Sequence, residues 1–136
     1  MCAIEYLIDT NFLVYHTKGS QVTVDLLSNL ITEHCFNISI LTKIEFLGWD
    51  KHTTEGFKKC KELIEPANIY SLDEEIANKA IELRTKRKIK LVDAVIAATA
   101  LLNNLILAAR DVDDFKGIKE LQIINPFAYE DRDEVY

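Results

Sequence analysis

The sequence Tyr6-Leu7-Ile8-Asp9-Thr10-Asn11 joins a short apolar run to an acid and two polar residues. The apolar run is typical of a short strand, and the polar residues after Asp9 are typical of the start of a helix. In open α/β sheets, ligands bind outside the carboxyl ends of the strands. We therefore expect the Asp9 carboxylate to project at that edge of a sheet, beside the start of a helix.

Strand and helix patterns alternate along the rest of the chain. Further strands are predicted at residues 36–40, 69–70, 105–108 and 122–124. Apolar residues at helical spacing lie between them, and residues 93–102 are apolar nearly all round, which is typical of a helix buried on most sides. Strands separated by helices require crossover connections, so the sequence predicts an α/β fold with a mainly parallel central sheet flanked by helices on both faces.

Three local patterns predict details of these elements. Residues 36–40 alternate apolar and polar side chains, which predicts a half-buried strand. Ser71 is followed three residues later by Glu74, the capping-box form, so Ser71 is predicted to cap a helix. Asp93 is predicted to begin the most apolar helix of the chain. Its carboxylate would then either cap that helix or face a cleft.

The length and composition of the chain indicate a single domain. A chain of 136 residues is of ordinary domain size, and its two prolines and four glycines mark no internal linker. We expect one domain over residues 1–128 and an acidic C-terminal tail over residues 129–136. Glu5 and Asp9 interrupt the apolar residues near the N-terminus, so no signal-peptide pattern is present. The longest apolar stretch, residues 94–102, is too short to cross a bilayer. A cytoplasmic protein is expected.

Four acidic positions lie where an apolar run meets a polar stretch: Asp9, Glu45, Asp93 and the cluster Asp111-Val112-Asp113-Asp114. Taken singly, each has an ordinary explanation as a helix cap, a face boundary or a turn. Several ionised carboxylates that lie close together repel, and a hard divalent cation between them makes the arrangement tolerable. The pattern as a whole predicts a metal site made of oxygen ligands. The histidines and cysteines of the chain lack the spacing of zinc ligands.

The net charge of −6 argues against a nucleic-acid partner, because such binding depends largely on cations that neutralise phosphates. The distribution of charge weakens that argument, since residues 130–134 carry four acids and one base and so hold half of the net negative charge. The candidate substrate-binding residues are Lys86, Arg87, Lys88, Lys90 and Arg110. Alternatively, such a basic run is a solvated face whose cations interact favourably with the C-terminal end of a helix dipole.

The four acidic segments, in order and spacing, resemble the PIN domain, and particularly the VapC-like toxin ribonucleases of prokaryotic toxin–antitoxin pairs. Residues 6–11 are similar to the opening strand and first acid of that family, and residues 42–47 to its helix that carries a Glu. Residues 90–100 and 109–115 are similar to the third and fourth motifs, and residues 124–127 to the usual ending. The resemblance covers essentially the full chain.

The resemblance implies an endoribonuclease that depends on Mg²⁺ or Mn²⁺, hydrolyses RNA phosphodiester bonds and leaves 5′-phosphate and 3′-hydroxyl ends. It implies catalytic roles for Asp9, Glu45, Asp93 and Asp111, metal binding by these four together with Asp114, and supporting roles for Thr10 and Asp114. It also implies a cognate antitoxin protein whose C-terminal segment covers the acidic cleft, and a homodimer.

The chain departs from the family pattern at three positions. Ala109 stands where family members commonly carry Thr or Ser, and Val92 stands where Pro or Ser is frequent. Asp113 adds a negative charge, so the fourth ligand is ambiguous among Asp111, Asp113 and Asp114, of which the motif alignment favours Asp111 and Asp114. The loss of the hydroxyl at Ala109 leaves open a catalytically weakened PIN-fold module that binds RNA or a protein without turnover.

Two other enzyme classes fit the sequence poorly. A phosphatase or phosphotransferase with an Asp nucleophile would use Asp9 at the end of the first strand. Asn11 disfavours this class, because the haloacid-dehalogenase pattern requires a second Asp there. A nucleotide-binding dehydrogenase is disfavoured because no glycine-rich loop follows the first strand.

Overall fold

The computed structural model of the protein describes residues 4–127. Its elements, in chain order, are β1 (Tyr6–Ile8), α1 (Thr10–Thr17), α2 (Gln21–Thr32), β2 (Phe36–Ser39), α3 (Ile40–Leu47), α4 (Thr54–Ile64), β3 (Asn68–Tyr70), α5 (Glu74–Lys86), α6 (Leu91–Leu102), β4 (Ile106–Ala108), a 3-10 helix (Val112–Phe115) and β5 (Ile123–Ile124). The acidic tail predicted at residues 129–136 lies outside the described residues. No helix within the described range has the length and apolar character needed to span a membrane.

The five strands form one parallel sheet in the order β3-β2-β1-β4-β5. The chain winds outward from β1 through β2 to β3, and then crosses back to place β4 on the other side of β1. Parallel neighbours require such crossovers, which the helices supply. The winding direction reverses between β1 and β4, and the carboxyl ends of the strands at such a point border a crevice. The predicted α/β fold with a parallel sheet is confirmed.

Two separate apolar clusters cover the two faces of the sheet. In β1, Leu7 packs in the cluster with α5 and α6, whereas Ile8 packs in the cluster with α1, α2 and α4. In β4, Leu107 belongs to the first of these clusters and Ala108 to the second. Successive side chains of a strand point to opposite faces, so strands covered on both sides become continuous apolar runs. This two-sided burial holds the ends of β1 and β4 in place.

The structure corrects the prediction that residues 36–40 form a half-buried strand. All of β2 is buried, and Asn37 and Ser39 are each 1% exposed. The Asn37 side-chain amide donates to the backbone oxygens of Tyr6 and Cys35 at 2.9 and 3.1 Å. Ser39 caps α3 by accepting from the amide of Leu41 at 3.1 Å. Buried polar groups are tolerated when they find such partners, so polar alternation did not mark a solvent face here.

Two predicted helix starts are also wrong. Asp73, not Ser71, caps α5, because its carboxylate accepts from the amide of Ile76 at 2.8 Å. Helix α6 begins at Leu91 with Lys90 at the capping position, so Asp93 lies within the first turn and does not cap the helix. The positive end of the helix dipole stabilises a carboxylate in the first turn, whether or not that carboxylate caps the helix.

Candidate active site

A cleft of about 340 Å³ opens beyond the carboxyl end of β1. Its lining residues come from four distant parts of the chain, namely the start of α1, helix α3, the start of α6 and the 3-10 helix after β4; they are Asp9, Thr10, Asn11, Glu45, Lys90, Leu91, Val92, Asp93 and Asp114. The cleft lies where the winding of the sheet reverses. Open α/β sheets bind ligands at this position.

Asp9 is the most deeply buried acid of the cleft, with 5% of its surface exposed. Its backbone amide donates to the Ala108 oxygen at 3.1 Å, which ties the ends of β1 and β4 together. It occupies the capping position of α1, yet its side chain makes no capping hydrogen bond in the described structure. Burial raises the pKa of Asp9 to about 7, the Thr10 amide opposes this shift, and the charges of Asp93, Glu45 and Asp111 add to it.

Asp93 faces the same cleft from the first turn of α6. Burial raises its pKa to about 6, and the neighbouring charge of Asp114 adds to the rise. Lys90 opposes the shift, while Glu45 and Asp111 contribute in the same direction as Asp114. The neighbouring acids are therefore close enough to disfavour ionisation of Asp9 and Asp93. Perturbed carboxylates in a cleft are typical of a functional site.

Glu45 and Asp111 are exposed and are held by hydrogen bonds from the first turn of α1. The Thr10 hydroxyl donates to Glu45 Oε1 at 2.7 Å. The Asn11 side-chain amide donates to Asp111 Oδ2, also at 2.7 Å. Hydrogen bonds to an ionised carboxylate are among the stronger ones in proteins. Three consecutive residues after β1 thus supply one acid and the two donors that position two others.

Asn11 is the functional candidate that the sequence analysis missed. From its sequence neighbours, Asn11 is predicted only to lie near the start of a helix. Its contact with Asp111 depends on the pairing of β1 with β4, which places the residues that follow the two strands side by side. The available signal was its position two residues after a candidate acid at a strand end.

The structure separates the three aspartates that follow β4. Asp114 lines the cleft, and Asp111 reaches it through its contact with Asn11. Asp113 is exposed and is not among the residues that line the cleft within the described part of the chain. Ala109 is 0% exposed and packs with Leu107 in the apolar cluster beneath α6. The methyl group at this position therefore fills a core site.

The PIN domain family model matches residues 6–121. The chain belongs to the PIN domain family. A toxin–antitoxin complex from Klebsiella pneumoniae contains a chain of the same fold, with a TM-score of 0.73 and 29% sequence identity over 90% of this chain and 98% of that one. A search of curated proteins found no match.

Two further solved structures share the fold of this PIN domain. VapBC2 from Rickettsia felis, bound to a DNA fragment from its promoter, matches with a TM-score of 0.78 and 24% identity over 90% of this chain and 98% of that one. DNA-bound VapBC from Salmonella typhimurium matches with a TM-score of 0.80 and 17% identity over the same shares. At these identities the likeness shows the fold alone.

The donors of this PIN domain suit a hard divalent cation. The acids of the cleft offer carboxylate oxygens, and Thr10 and Asn11 add further oxygens. Mg²⁺ and Mn²⁺ prefer such ligands over nitrogen and sulfur. Among residues 4–127, no group of three or more His, Cys, Asp or Glu side chains meets the geometry of a formed metal site. The acids converge on one cleft, and the pKa values of Asp9 and Asp93 are raised there, but the acids do not form a closed set of ligands as they stand.

The five basic residues predicted to bind substrate lie in different surroundings. Lys90 lines the cleft. Lys88 is exposed and Lys86 pairs with Glu82 at 3.3 Å; neither lines the cleft in the part of the chain that the structure describes.

The two arginines predicted to bind substrate are held by contacts outside the cleft. Arg87 donates to the backbone oxygen of Leu83 at 3.4 Å, in the manner of a residue at the end of a helix. The Arg110 guanidinium lies over the rings of Tyr15 and Phe127, at 4.6 and 5.2 Å from their centroids. Lys90 is therefore the best placed of the five predicted residues to meet a phosphate in the cleft.

Proposed function

We propose that this PIN domain is a metal-dependent endoribonuclease that hydrolyses RNA phosphodiester bonds, as the toxin of a VapBC-type toxin–antitoxin pair. The observation that carries the proposal is the convergence of acids from four parts of the chain on one cleft, where burial and mutual repulsion raise the pKa of Asp9 and Asp93. PIN domains are generally nucleases, and the family match covers most of the chain.

Asp9, Glu45, Asp93 and Asp114 line the cleft and would hold Mg²⁺ or Mn²⁺, with Asp111 beside them. When bound, the cation supplies positive charge that activates a water molecule and stabilises the negative charge on the phosphate. Thr10 and Asn11 keep two of the acids oriented before any ligand binds. Without a cation, burial raises the pKa of Asp9 to about 7, and a bound cation would favour its ionised form.

The remaining lining residues suit a polyanionic substrate. Lys90 places a positive charge at the wall of an otherwise acidic cleft, where it would contact a phosphate next to the one that is cleaved. Leu91 and Val92 add an apolar part to the wall of the cleft. Attack of water at phosphorus, with departure of the 3′ oxygen, leaves the 5′-phosphate and 3′-hydroxyl ends expected of the family.

An antitoxin partner is part of the proposal. The structures from Klebsiella pneumoniae, Rickettsia felis and Salmonella typhimurium are of toxin–antitoxin assemblies. A segment that covers the cleft would have to offset the charge of its carboxylates, which an arginine does well. A homodimer belongs to the same proposal. Co-purification with a small protein encoded beside this chain, and the mass of the complex, would test both partners.

A second candidate is a PIN-fold module that binds RNA or protein without turnover. The observation that favours it is Ala109, whose buried methyl group takes the place of a hydroxyl that is common in the family. This candidate predicts that RNA is bound and remains intact.

The deciding experiment is cleavage of total cellular RNA by the purified, antitoxin-free protein with Mn²⁺, with Mg²⁺ and with EDTA. The Asp93→Asn variant removes an acid that lines the cleft, and Asp113→Asn is the matched control, since it removes an acid that does not. Discrete fragments that require metal and Asp93, but not Asp113, would support the ribonuclease. Intact RNA in all conditions, from a protein shown to be folded, would contradict it and favour the binding module.

A further inference from the structure

A second cavity, of about 350 Å³, opens beside the acidic cleft. Its walls are mainly apolar and come from α1, α3 and the segment after α3; they include Val14, Lys18, Glu45, Phe46, Trp49 and His52. Glu45 lines both this cavity and the acidic cleft. The two cavities are therefore neighbours that share Glu45 as a wall. We call the second cavity the Trp49 pocket.

Trp49 is the single tryptophan of the chain, and its side chain is 55% exposed. Its ring stands nearly perpendicular to the ring of His52, with centroids 5.1 Å apart and an angle of 88° between the planes. The imidazole Nε2–H of His52 donates to the backbone oxygen of Phe46 at 2.8 Å, which holds the His52 ring in place. An indole braced on one side and exposed on the other is a surface suited to binding.

We propose that the Trp49 pocket is a nucleobase subsite, in which an unpaired base next to the scissile phosphate stacks on the Trp49 indole. This inference rests on the proposed ribonuclease function, and it names how the substrate is recognised. Proteins that recognise unpaired RNA commonly stack its bases on aromatic side chains. The shared wall at Glu45 places such a base beside the cleft that would hold its phosphate.

The pocket also matches the polar parts of a nucleotide. Lys18 lines it and carries a charge that complements a phosphate. The lining is mainly apolar, which suits the flat face of a base, and Glu45 and His52 are among its polar members. A helix of a partner protein would instead need an extended groove with anchors at successive turns. The size and lining of the Trp49 pocket therefore favour a base over a protein segment.

The lone tryptophan permits a direct measurement of stacking. Asp93→Asn protein would be titrated with a short single-stranded RNA that contains a mapped cleavage site. A second titration would use the same RNA with an abasic residue beside the scissile bond. We expect the intact RNA to quench the Trp49 fluorescence, and an abasic residue at one of the two flanking positions to remove the quenching. Unchanged fluorescence, while labelled RNA is seen to bind, would overturn the subsite.

Cleavage kinetics provide a second, independent test. We expect Trp49→Ala to raise KM for the intact RNA about tenfold with little change in kcat, since the base contributes to binding next to the reacting atoms. Trp49→Phe keeps an aromatic ring and should restore most of the affinity. Ile81→Ala is the matched control, because Ile81 is 60% exposed on α5 and lines neither cavity among the described residues. It should behave as the unaltered protein.

Combining the protein variant with the abasic RNA isolates the contact. If the base stacks on Trp49, removal of the indole and removal of the base should raise KM by about the same factor. Removal of both should raise KM little further. Additive losses would overturn the subsite. Should Trp49→Ala prove unstable in a thermal melt, the comparison of Trp49→Phe with the unaltered protein on intact and abasic RNA decides in its place.

The failure of this inference differs from the failure of the proposed function. Absence of metal-dependent cleavage by the unaltered protein would overturn the ribonuclease and the subsite together. Cleavage with the same KM in Trp49→Ala and the unaltered protein would overturn the subsite alone. Normal cleavage by Trp49→Ala, together with lost binding of the cognate antitoxin, would show that the pocket receives a protein and would also overturn the subsite.

Discussion

The acids at the floor of the cleft are held differently from those at its rim. At the floor, Asp9 is buried and Asp93 is half-buried, and burial raises their pKa to about 7 and about 6. Glu45 and Asp111, at the rim, are exposed, and each accepts a hydrogen bond of 2.7 Å from α1. The fold holds the floor acids by burial and the rim acids by hydrogen bonds. A bound cation would offset the cost of burying charge at the floor, whereas the rim acids are positioned without one.

The largest expected effect is the loss of a floor carboxylate. We expect Asp9→Asn to reduce cleavage by about a thousandfold or more, because a cation and its charge contribute several kcal/mol to the transition state. The measurement is the initial rate of cleavage of a defined RNA with Mn²⁺. Asp113→Asn, which alters an acid outside the cleft lining, should stay within a few fold of the unaltered protein. Equal losses in both variants would remove the distinction between the cleft and its surroundings.

The second effect is on stability. Without metal, the ionised carboxylates at the floor of the cleft should lower the free energy of unfolding. The pKa of Asp9 is about 3.8 in the unfolded chain and about 7 in the folded protein. Between these values the folded state retains a proton that the unfolded state has released, so stability falls as pH rises and the loss is complete above about pH 7. Asp93 acts in the same direction up to about pH 6. The expected loss from Asp9 is a few kcal/mol, and the half-exposed Asp93 contributes less because solvent screens its charge.

Thermal melts in EDTA at pH 5 and pH 8 would measure this loss. Asp9→Asn should flatten the pH dependence and melt several degrees above the unaltered protein at pH 8, although it is inactive. Added Mn²⁺ should raise the melting temperature of the unaltered protein at pH 8 and have a smaller effect on Asp9→Asn. A melting temperature of Asp9→Asn below that of the unaltered protein at pH 8 would contradict the assignment of Asp9 as a buried, repelled carboxylate.

A smaller effect is expected when the rim is loosened. Asn11→Ala removes the donor to Asp111, and Thr10→Val removes the donor to Glu45. Partners that orient metal ligands typically contribute about 10- to 100-fold to metal affinity or activity. Calorimetry with Mn²⁺ and cleavage rates should both show losses in this range. Thr10→Ser keeps a hydroxyl and should therefore recover most of the affinity and activity that Thr10→Val loses. If Asn11→Ala binds Mn²⁺ as tightly as the unaltered protein, the rim is not positioned by α1.

The smallest effect concerns the charged surroundings of the cleft. Lys90 lines the cleft and Lys88 does not, although the two are near neighbours in the sequence. We expect Lys90→Ala to raise KM for RNA several fold at low salt, less at high salt, and Lys88→Ala to change it little. A series of KM values against salt concentration checks this. Equal effects would mean that the basic run acts only through its summed charge.

The overall architecture could be predicted from local patterns in the sequence. Strands covered on both faces are nearly continuous apolar runs, and helices have their own spacing of apolar residues. The alternation of the two kinds of segment implies crossovers and a parallel sheet. The local prediction was wrong at Asn37 and Ser39, because each polar side chain found a buried partner that the pattern does not specify. It was wrong at Ser71 because Asp73 caps the helix instead.

The candidate site was predictable in its acids but not in their arrangement. Asp9, Glu45, Asp93 and the cluster at 111–114 each follow or enter an apolar element, which can be seen in the sequence. Which of the aspartates after β4 enters the cleft depends on the turn of the 3-10 helix. Which basic residues meet a substrate depends on nearby competitors, such as Glu82 for Lys86 and the Tyr15 ring for Arg110.

The sequence by itself determined the α/β class, the parallel sheet and the set of acids, because these depend on spacing and residue type within short segments. Only the tertiary structure decided that β4 lies beside β1, that Asn11 reaches Asp111 across a separation of 100 residues, and that the Trp49 pocket shares a wall with the cleft. These are contacts between segments far apart in the chain, and their geometry follows from the packing of two apolar clusters on the faces of one sheet.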